Sequence, residues 1–220
     1  NKLKMVEARG LVKLNNLKSL VFDEADTLFE MGFEKDISII LSKINLDTQV
    51  ALFSATLASS IEGFMNNKLK DFKIEKVFFD DAHKVQTKIE TFNIFVGQTE
   101  KLPIINMFLK RTAEGRGIIF ANQKNQVEEI KTYLTTEFPK LKFGVLHGDL
   151  EASERLKTSK NFKDGKLQFL VATDAIARGI DVKDLNWVLN YNLPRNAEFY
   201  LHRCGRVGRM GRQSMVYNLV

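Results

Sequence analysis

Short apolar runs alternate with helical spacings along most of this chain, and several of the runs stop abruptly in polar residues. The runs at 19–22, 49–53, 117–121, 143–146, 167–171 and 187–191 are short and rich in strand-forming residues. Between them apolar residues recur every three or four positions, as in Val127, Ile130 and Leu134. Strands alternating with helices mean βαβ units, hence parallel sheets with right-handed crossovers and an α/β fold class. Further strands are expected at 77–79, 91–96 and 215–220. Helices are expected at 33–44, carried by Phe33, Ile37, Ile40, Leu41 and Ile44, and from Ser59 with Ile61, Phe64 and Met65 inward. Others are expected at 100–111, 151–163 and 198–206. The polar, aperiodic stretch 80–84 reads as a linker, dividing the chain into domains 1–82 and 83–220. The second carries five or six strands and can be a nearly complete domain. The first carries two or three, which leaves its sheet edge and core open, so the chain reads as cut from something larger.

Composition excludes several classes. Of the 220 residues 44% are hydrophobic and 27% charged, as in a soluble globular protein. The net charge of +6 favours polyanionic partners. The single cysteine, Cys204, rules out an internal disulfide and an all-cysteine metal site, which points to a reducing, cytoplasmic compartment. No apolar run approaches the roughly 18 residues of a membrane span, and no signal peptide opens the chain. The 17 Phe are read as core, not as stacking platforms.

Four clusters sit where such a fold places its ligands, at the carboxyl ends of strands. The run Ser19-Leu20-Val21-Phe22 is read as a buried strand ending in Asp23-Glu24-Ala25-Asp26. Clustered carboxylates are costly to leave uncompensated, so a cation or a metal-bound phosphate is expected beside them. Ser54-Ala55-Thr56 follows the next strand and offers hydroxyls to a carboxylate such as Asp26, although hydroxyls there are also ordinary turn residues. The stretch from Ala172-Thr173-Asp174 to Ala177-Arg178-Gly179-Ile180-Asp181 places two acids and an arginine at one rim, either for a ligand or for one another. In His202-Arg203-Cys204-Gly205-Arg206-Val207-Gly208-Arg209, three arginines alternate with glycines that a plain surface helix disfavours. Arginines on tight backbone suit bidentate phosphate contacts.

Taken together, Asp23-Glu24-Ala25-Asp26, Ser54-Ala55-Thr56, Ala177-Arg178-Gly179-Ile180-Asp181 and His202-Arg203-x-Gly205-Arg206-x-Gly208-Arg209 resemble, in order and spacing, the motifs of DEAD-box ATP-dependent RNA helicases. Met31-Gly32-Phe33 also resembles the stretch after that family's acidic motif. The resemblance implies two RecA-like domains with parallel sheets flanked by helices, the first incomplete. It implies ATP and Mg²⁺ as cofactors and RNA as partner, bound mostly through its sugar-phosphate backbone. Asp23 would bind Mg²⁺ through water, and Glu24 would orient or deprotonate the attacking water. Asp26, Ser54, Thr56 and His202 would couple the nucleotide site to RNA. Arg206 and Arg209 would reach the γ-phosphate as arginine fingers, and Asp181 would bind the ribose. Gly148, Arg155 and Thr173 match positions that contact the RNA backbone.

The chain also departs from the family. Val207 stands in place of a usual threonine, Cys204 in place of a larger aliphatic residue, and Ala152 in place of a glutamine three residues before Arg155. No Gly-x-x-x-x-Gly-Lys-Ser/Thr phosphate loop occurs in these 220 residues. The expectation is therefore an RNA helicase that couples ATP hydrolysis to duplex unwinding or ribonucleoprotein remodelling, with this polypeptide inactive on its own. The alternatives are a non-catalytic RNA-binding or regulatory fragment and, disfavoured by the motifs, a DNA translocase.

Overall fold

In a computed structural model, the structure describes residues 5, 9–10, 12–54, 59–78, 89–97, 100–111, 114–174, 185–208 and 213–220. The chain divides into two compact units, Asn1–His83 and Lys84–Val220.

In the first unit, β1 (Ser19–Phe22) and β2 (Gln49–Leu52) pair in parallel, with Ser19 opposite Gln49 and Phe22 opposite Leu52. Helices α1 (Ala25–Glu30), α2 (Glu34–Leu41) and α3 (Ser59–Lys68) accompany them. Phe22, Ile37 and Phe64 form the core, joined by Leu20, Val50 and Leu52 from the strands, and Phe29 meets Phe64 edge-on at 4.9 Å. Three expectations are corrected here. The run 19–22 is not buried on both faces: Leu20 and Phe22 point toward the core while Val21 is exposed, as a two-stranded sheet covered on one side requires. Residues 77–78 form no strand and are exposed, because strand-forming side chains without a pairing neighbour make no ladder; Phe79 lies outside the described residues. The helix expected at 33–44 spans only Glu34–Leu41, and a separate helix, α1, starts directly after the acids of β1. In α3, Ile61 and Phe64 are buried as expected and Met65 is half-buried. The linker residues 80–84 lie outside the described residues.

The second unit is one six-stranded sheet, in the order β3-β8-β7-β4-β6-β5. Its strands are β3 (Ile89–Ile94), β4 (Gly117–Phe120), β5 (Phe143–Leu146), β6 (Phe169–Ala172), β7 (Trp187–Asn190) and β8 (Ser214–Leu219). All its pairings are parallel. Among the described residues, helices α4 (Lys101–Arg111), α5 (Lys124–Glu137), α6 (Ala152–Lys163) and α7 (Ala197–Cys204) accompany them. The central strands β4, β6 and β7 are buried at every position, which is why they read as continuous apolar runs. Alternate residues feed two cores. Ile119, Val171 and Leu189 meet α4 and α5 through Phe108, Val127, Ile130 and Leu134. Ile118, Leu170 and Val188 meet α6 and α7 through Phe162 and Cys204. Each such aliphatic side chain stabilises the fold by about 1.5–3 kcal/mol relative to exposure.

Gly117 faces Trp187 across the β4–β7 ladder, and a Cβ added there would lie 2.1 Å from the indole ring. Trp187 is itself pinned by Phe108 edge-on at 5.1 Å. Gly117→Ala is therefore expected to lower stability by about 2 kcal/mol, read as a shift of the urea midpoint; an unshifted midpoint would mean that the ring moves freely.

Candidate functional site

The acids of the first unit are held by backbone crossing from the neighbouring strand. The amide of Phe53 donates to the Phe22 carbonyl at 2.8 Å, and the Ala25 amide donates to the Phe53 carbonyl at 2.9 Å. Asp23 and Glu24 are confined between those two bonds. Glu24 takes up φ 51° and ψ 49°, the one non-glycine residue with positive φ among those described. That left-handed conformation costs about 1 kcal/mol or more, and such strain collects at functional positions. It turns the chain from strand to helix within a single residue, so α1 begins at once and Asp26 swings inward. The Glu24 amide donates to Asp23 Oδ1 at 2.9 Å, while Asp23 Oδ2 takes no hydrogen bond from a described residue. Asp26 is 2% exposed, and its Oδ1 accepts from the Thr27 amide at 2.8 Å. Ser54 Oγ accepts from the Asp26 backbone amide at 3.2 Å, so the two clusters meet through that amide. Thr56 lies outside the described residues.

In the second unit, Gly148, Thr173 and Arg155 share one rim of the sheet. Leu146 and Ala172 end the paired strands β5 and β6, and the Thr173 amide donates to the Leu146 carbonyl at 3.1 Å. Gly148 follows two residues after Leu146. Arg155 lies near the start of α6, its amide bonded to the Glu151 carbonyl at 3.0 Å. Gly148 has no positive φ, and a Cβ there would meet nothing within 4 Å. Neither backbone nor packing requires this glycine, whereas close approach of a ligand would.

The described arginines of the 202–209 cluster differ in their surroundings. Arg203 is 1% exposed and is fully engaged inside its own unit. Its Nε and Nη2 donate to Asp174 Oδ1 and Oδ2 at 2.6 and 2.7 Å. Nη1 donates to Asn190 Oδ1 at 3.0 Å and the Asn192 carbonyl at 2.7 Å, and Nη2 also donates to Asn122 Oδ1 at 2.7 Å. The guanidinium stacks over Phe120, 5.0 Å from the ring centre. Phosphate binding by Arg203, suggested by the arginine spacing, is thereby corrected: Asp174 occupies its fork. Behind Asn190 the network continues, since Asn190 Nδ2 donates to Asn218 Oδ1 at 2.8 Å and Asn218 Nδ2 donates to Asn93 Oδ1 at 2.9 Å. Helix α7 stops at Cys204 rather than at 206, and Gly208, with φ 72°, turns the chain back toward β8, its amide on Ser214 Oγ at 3.0 Å. His202 is half-buried in the last turn. Arg206, 9% exposed, donates from Nε to the His202 carbonyl at 3.3 Å. Burial pushes the Cys204 thiol up to about 11, which leaves it an inert packing group. Val207 packs in the same core as Cys204. Asp181, with residues 177–180, and Arg209 lie outside the described residues.

Residues 99–211, more than half of the chain, match the model of the helicase conserved C-terminal domain, and residues 2–64 match that of the DEAD/DEAH box helicase. The chain belongs to the DEAD-box helicase family. The acidic cluster lies within the second of those matches, and the Gly148, Thr173 and arginine clusters lie within the first. Among the relatives, the probable ATP-dependent RNA helicase MJ0669 of Methanocaldococcus jannaschii is 38% identical over 198 residues, covering 90% of this chain and 52% of the relative. The ATP-dependent RNA helicase RhlB of Actinobacillus succinogenes is 35% identical, covering 94% and 50%. The chain thus spans about half the length of the curated relatives it matches. Among solved structures, S. cerevisiae Dbp5 bound to RNA and ADP BeF3 aligns with a TM-score of 0.84 at 27% identity, over 99% of this chain and 57% of that one. A DEAD box protein from Methanococcus jannaschii aligns with a TM-score of 0.56 at 36% identity, over 99% and 58%. The DEAD-box fold is the α/β one read from the sequence, RecA-like parallel sheets flanked by helices.

Proposed function

We propose that this DEAD-box chain serves an ATP-dependent RNA helicase, in which ATP hydrolysis drives RNA duplex unwinding or ribonucleoprotein remodelling. The observation that carries the reading is the strained Glu24 at the carboxyl end of β1, set between an exposed Asp23 and a buried Asp26. The donor set suits Mg²⁺, which takes one or two carboxylates with waters and substrate phosphates completing its shell, and Asp23 and Glu24 offer such carboxylates at the end of β1. Asp23, with Oδ2 available, would hold the ion through water; bound there, Mg²⁺ supplies charge neutralisation at the phosphates. Glu24 orients or deprotonates the attacking water. Arg206 and Arg209 stabilise charge on the transferring phosphoryl group, and Asp181 binds the ribose. Asp26, Ser54, Thr56 and His202 form the coupling set between nucleotide and RNA. Gly148, Arg155 and Thr173 bind the RNA backbone, so base specificity is not expected. The domains are assigned as 1–82, the C-terminal part of the ATP-binding domain, and 83–220. Among the described residues no helix is long and apolar enough to cross a membrane. The single cysteine, Cys204, fits a reducing compartment, and on that ground we place the protein in the cytoplasm.

The test is ATP turnover by the intact gene product with RNA and with DNA of one length. Stimulation by RNA alone, lost in Glu24→Gln, is expected; equal stimulation by DNA would overturn the RNA assignment. The 220-residue polypeptide, with no phosphate loop, is expected to turn over no ATP, because the missing cradle supplies most phosphate contacts.

A further inference from the structure

The turn carrying Gly148 is held from outside. Its own closing bond is long, the Leu150 amide donating to the His147 carbonyl at 3.3 Å. Two side chains of α5 grip it on either side of the glycine. Glu128 Oε1 lies 2.8 Å from His147 Nε2, and Lys124 Nζ donates to Asp149 Oδ2 at 2.5 Å. Lys124 and Glu128 are one helical turn apart, so both emerge from one face of α5. That helix is a firm base. Val127, Ile130 and Leu134 are wholly buried, and Gln123 with Gln126 forms a capping box at its start.

We infer that Glu128 and Lys124 are positioning residues for RNA binding, which clamp His147 and Asp149 so that the Cβ-free edge of Gly148 is presented to a phosphodiester backbone. The inference rests on the reading above that RNA crosses this rim. The two grips are unequal. Lys124 and Asp149 are mostly exposed, and such pairs contribute little. His147 is 5% exposed, and a carboxylate can only accept, so Nε2 carries the ring proton and Nδ1 meets no partner among the described residues. Without Glu128 neither nitrogen of this buried ring has its described partner. Lys131, bonded to Glu128 Oε2 at 2.8 Å, and then His147 hold the Glu128 carboxyl below its ordinary range, which keeps it an acceptor.

Charge and geometry make opposite forecasts for Glu128→Ala. Removing a negative charge beside an RNA track strengthens binding if electrostatics alone matters. Positioning predicts the reverse. In the intact gene product, Glu128→Ala is expected to raise the Kd for single-stranded RNA about fivefold, equivalent to about 1 kcal/mol, with kcat at saturating RNA within about twofold of wild type. Glu128→Gln, whose amide oxygen still accepts from Nε2, keeps wild-type affinity. Glu128→Ala binding as tightly as wild type, or Glu128→Gln binding as weakly as Glu128→Ala, overturns the inference. Should Glu128→Ala fail to fold, the surface variant Asp149→Ala decides: about twofold weaker binding supports the clamp, and equal or tighter binding ends it. A wild-type protein that binds no RNA would instead sink the functional reading itself.

Discussion

Arg203→Ala is expected to destabilise the second unit by about 3–5 kcal/mol, the range for removing one partner of a buried ion pair. The magnitude follows from what the substitution strands. Both oxygens of Asp174 and the side-chain oxygens of Asn190 and Asn122 accept from this one guanidinium, as does the Asn192 carbonyl. These acceptors sit at the exits of β6, β7 and β4, so one side chain ties three strands to α7. Arg203→Lys is expected to recover only part of the loss, because an ammonium cannot match the planar fork. Arg203→Met combined with Asp174→Asn should recover more, since the unpaired charge is then gone. Trp187, the single tryptophan of this chain, is buried in the same unit, so its fluorescence in a urea titration reports the transition. A loss below about 1 kcal/mol would show that water replaces the guanidinium at little expense and that the network is not a structural tie.

The contrast between Arg203 and its neighbours shows where reading a sequence stops. Strands β4, β6 and β7 were legible because burial on both faces leaves no alternative to continuous apolar runs. Residues 77–78 have the same local character and form no strand, because pairing is a tertiary event that propensity does not see. Helix α1 was missed because its start depends on one left-handed residue, Glu24, which no periodicity marks. The rim positions followed from motif order, and the structure brings Gly148 and Thr173 to adjacent strand ends. Which arginine turns inward was not legible. Its partners Asp174 and Asn122 lie 29 and 81 residues earlier, and only the sheet order joins them. The Glu128–His147 contact was hidden for the same reason, with a histidine beside a strand exit as its one local sign.

Arg206→Ala, in the intact gene product, is expected to lower kcat about a thousandfold or more with RNA affinity within about twofold of wild type. Arg206 sits two residues past the end of α7, where Arg203 fastens that helix to the sheet and the Nε of Arg206 is fixed on the His202 carbonyl. A guanidinium held in this way needs little reorganisation when charge develops on a phosphoryl group, which is the condition for acting on the transition state rather than on the bound substrate. The loss should therefore appear equally in kcat and in kcat/KM for ATP, the pattern of an interaction made only in the transition state. A raised KM with unchanged kcat would make Arg206 a ground-state nucleotide contact, and unchanged values of both would remove it from the nucleotide site. Arg206→Lys separates charge from shape: a point charge without the fork should restore only a minor part of the rate. Arg203→Ala provides the control, because a helix that has lost its tie should lower stability and rate together, whereas Arg206→Ala should lower the rate far more than the stability.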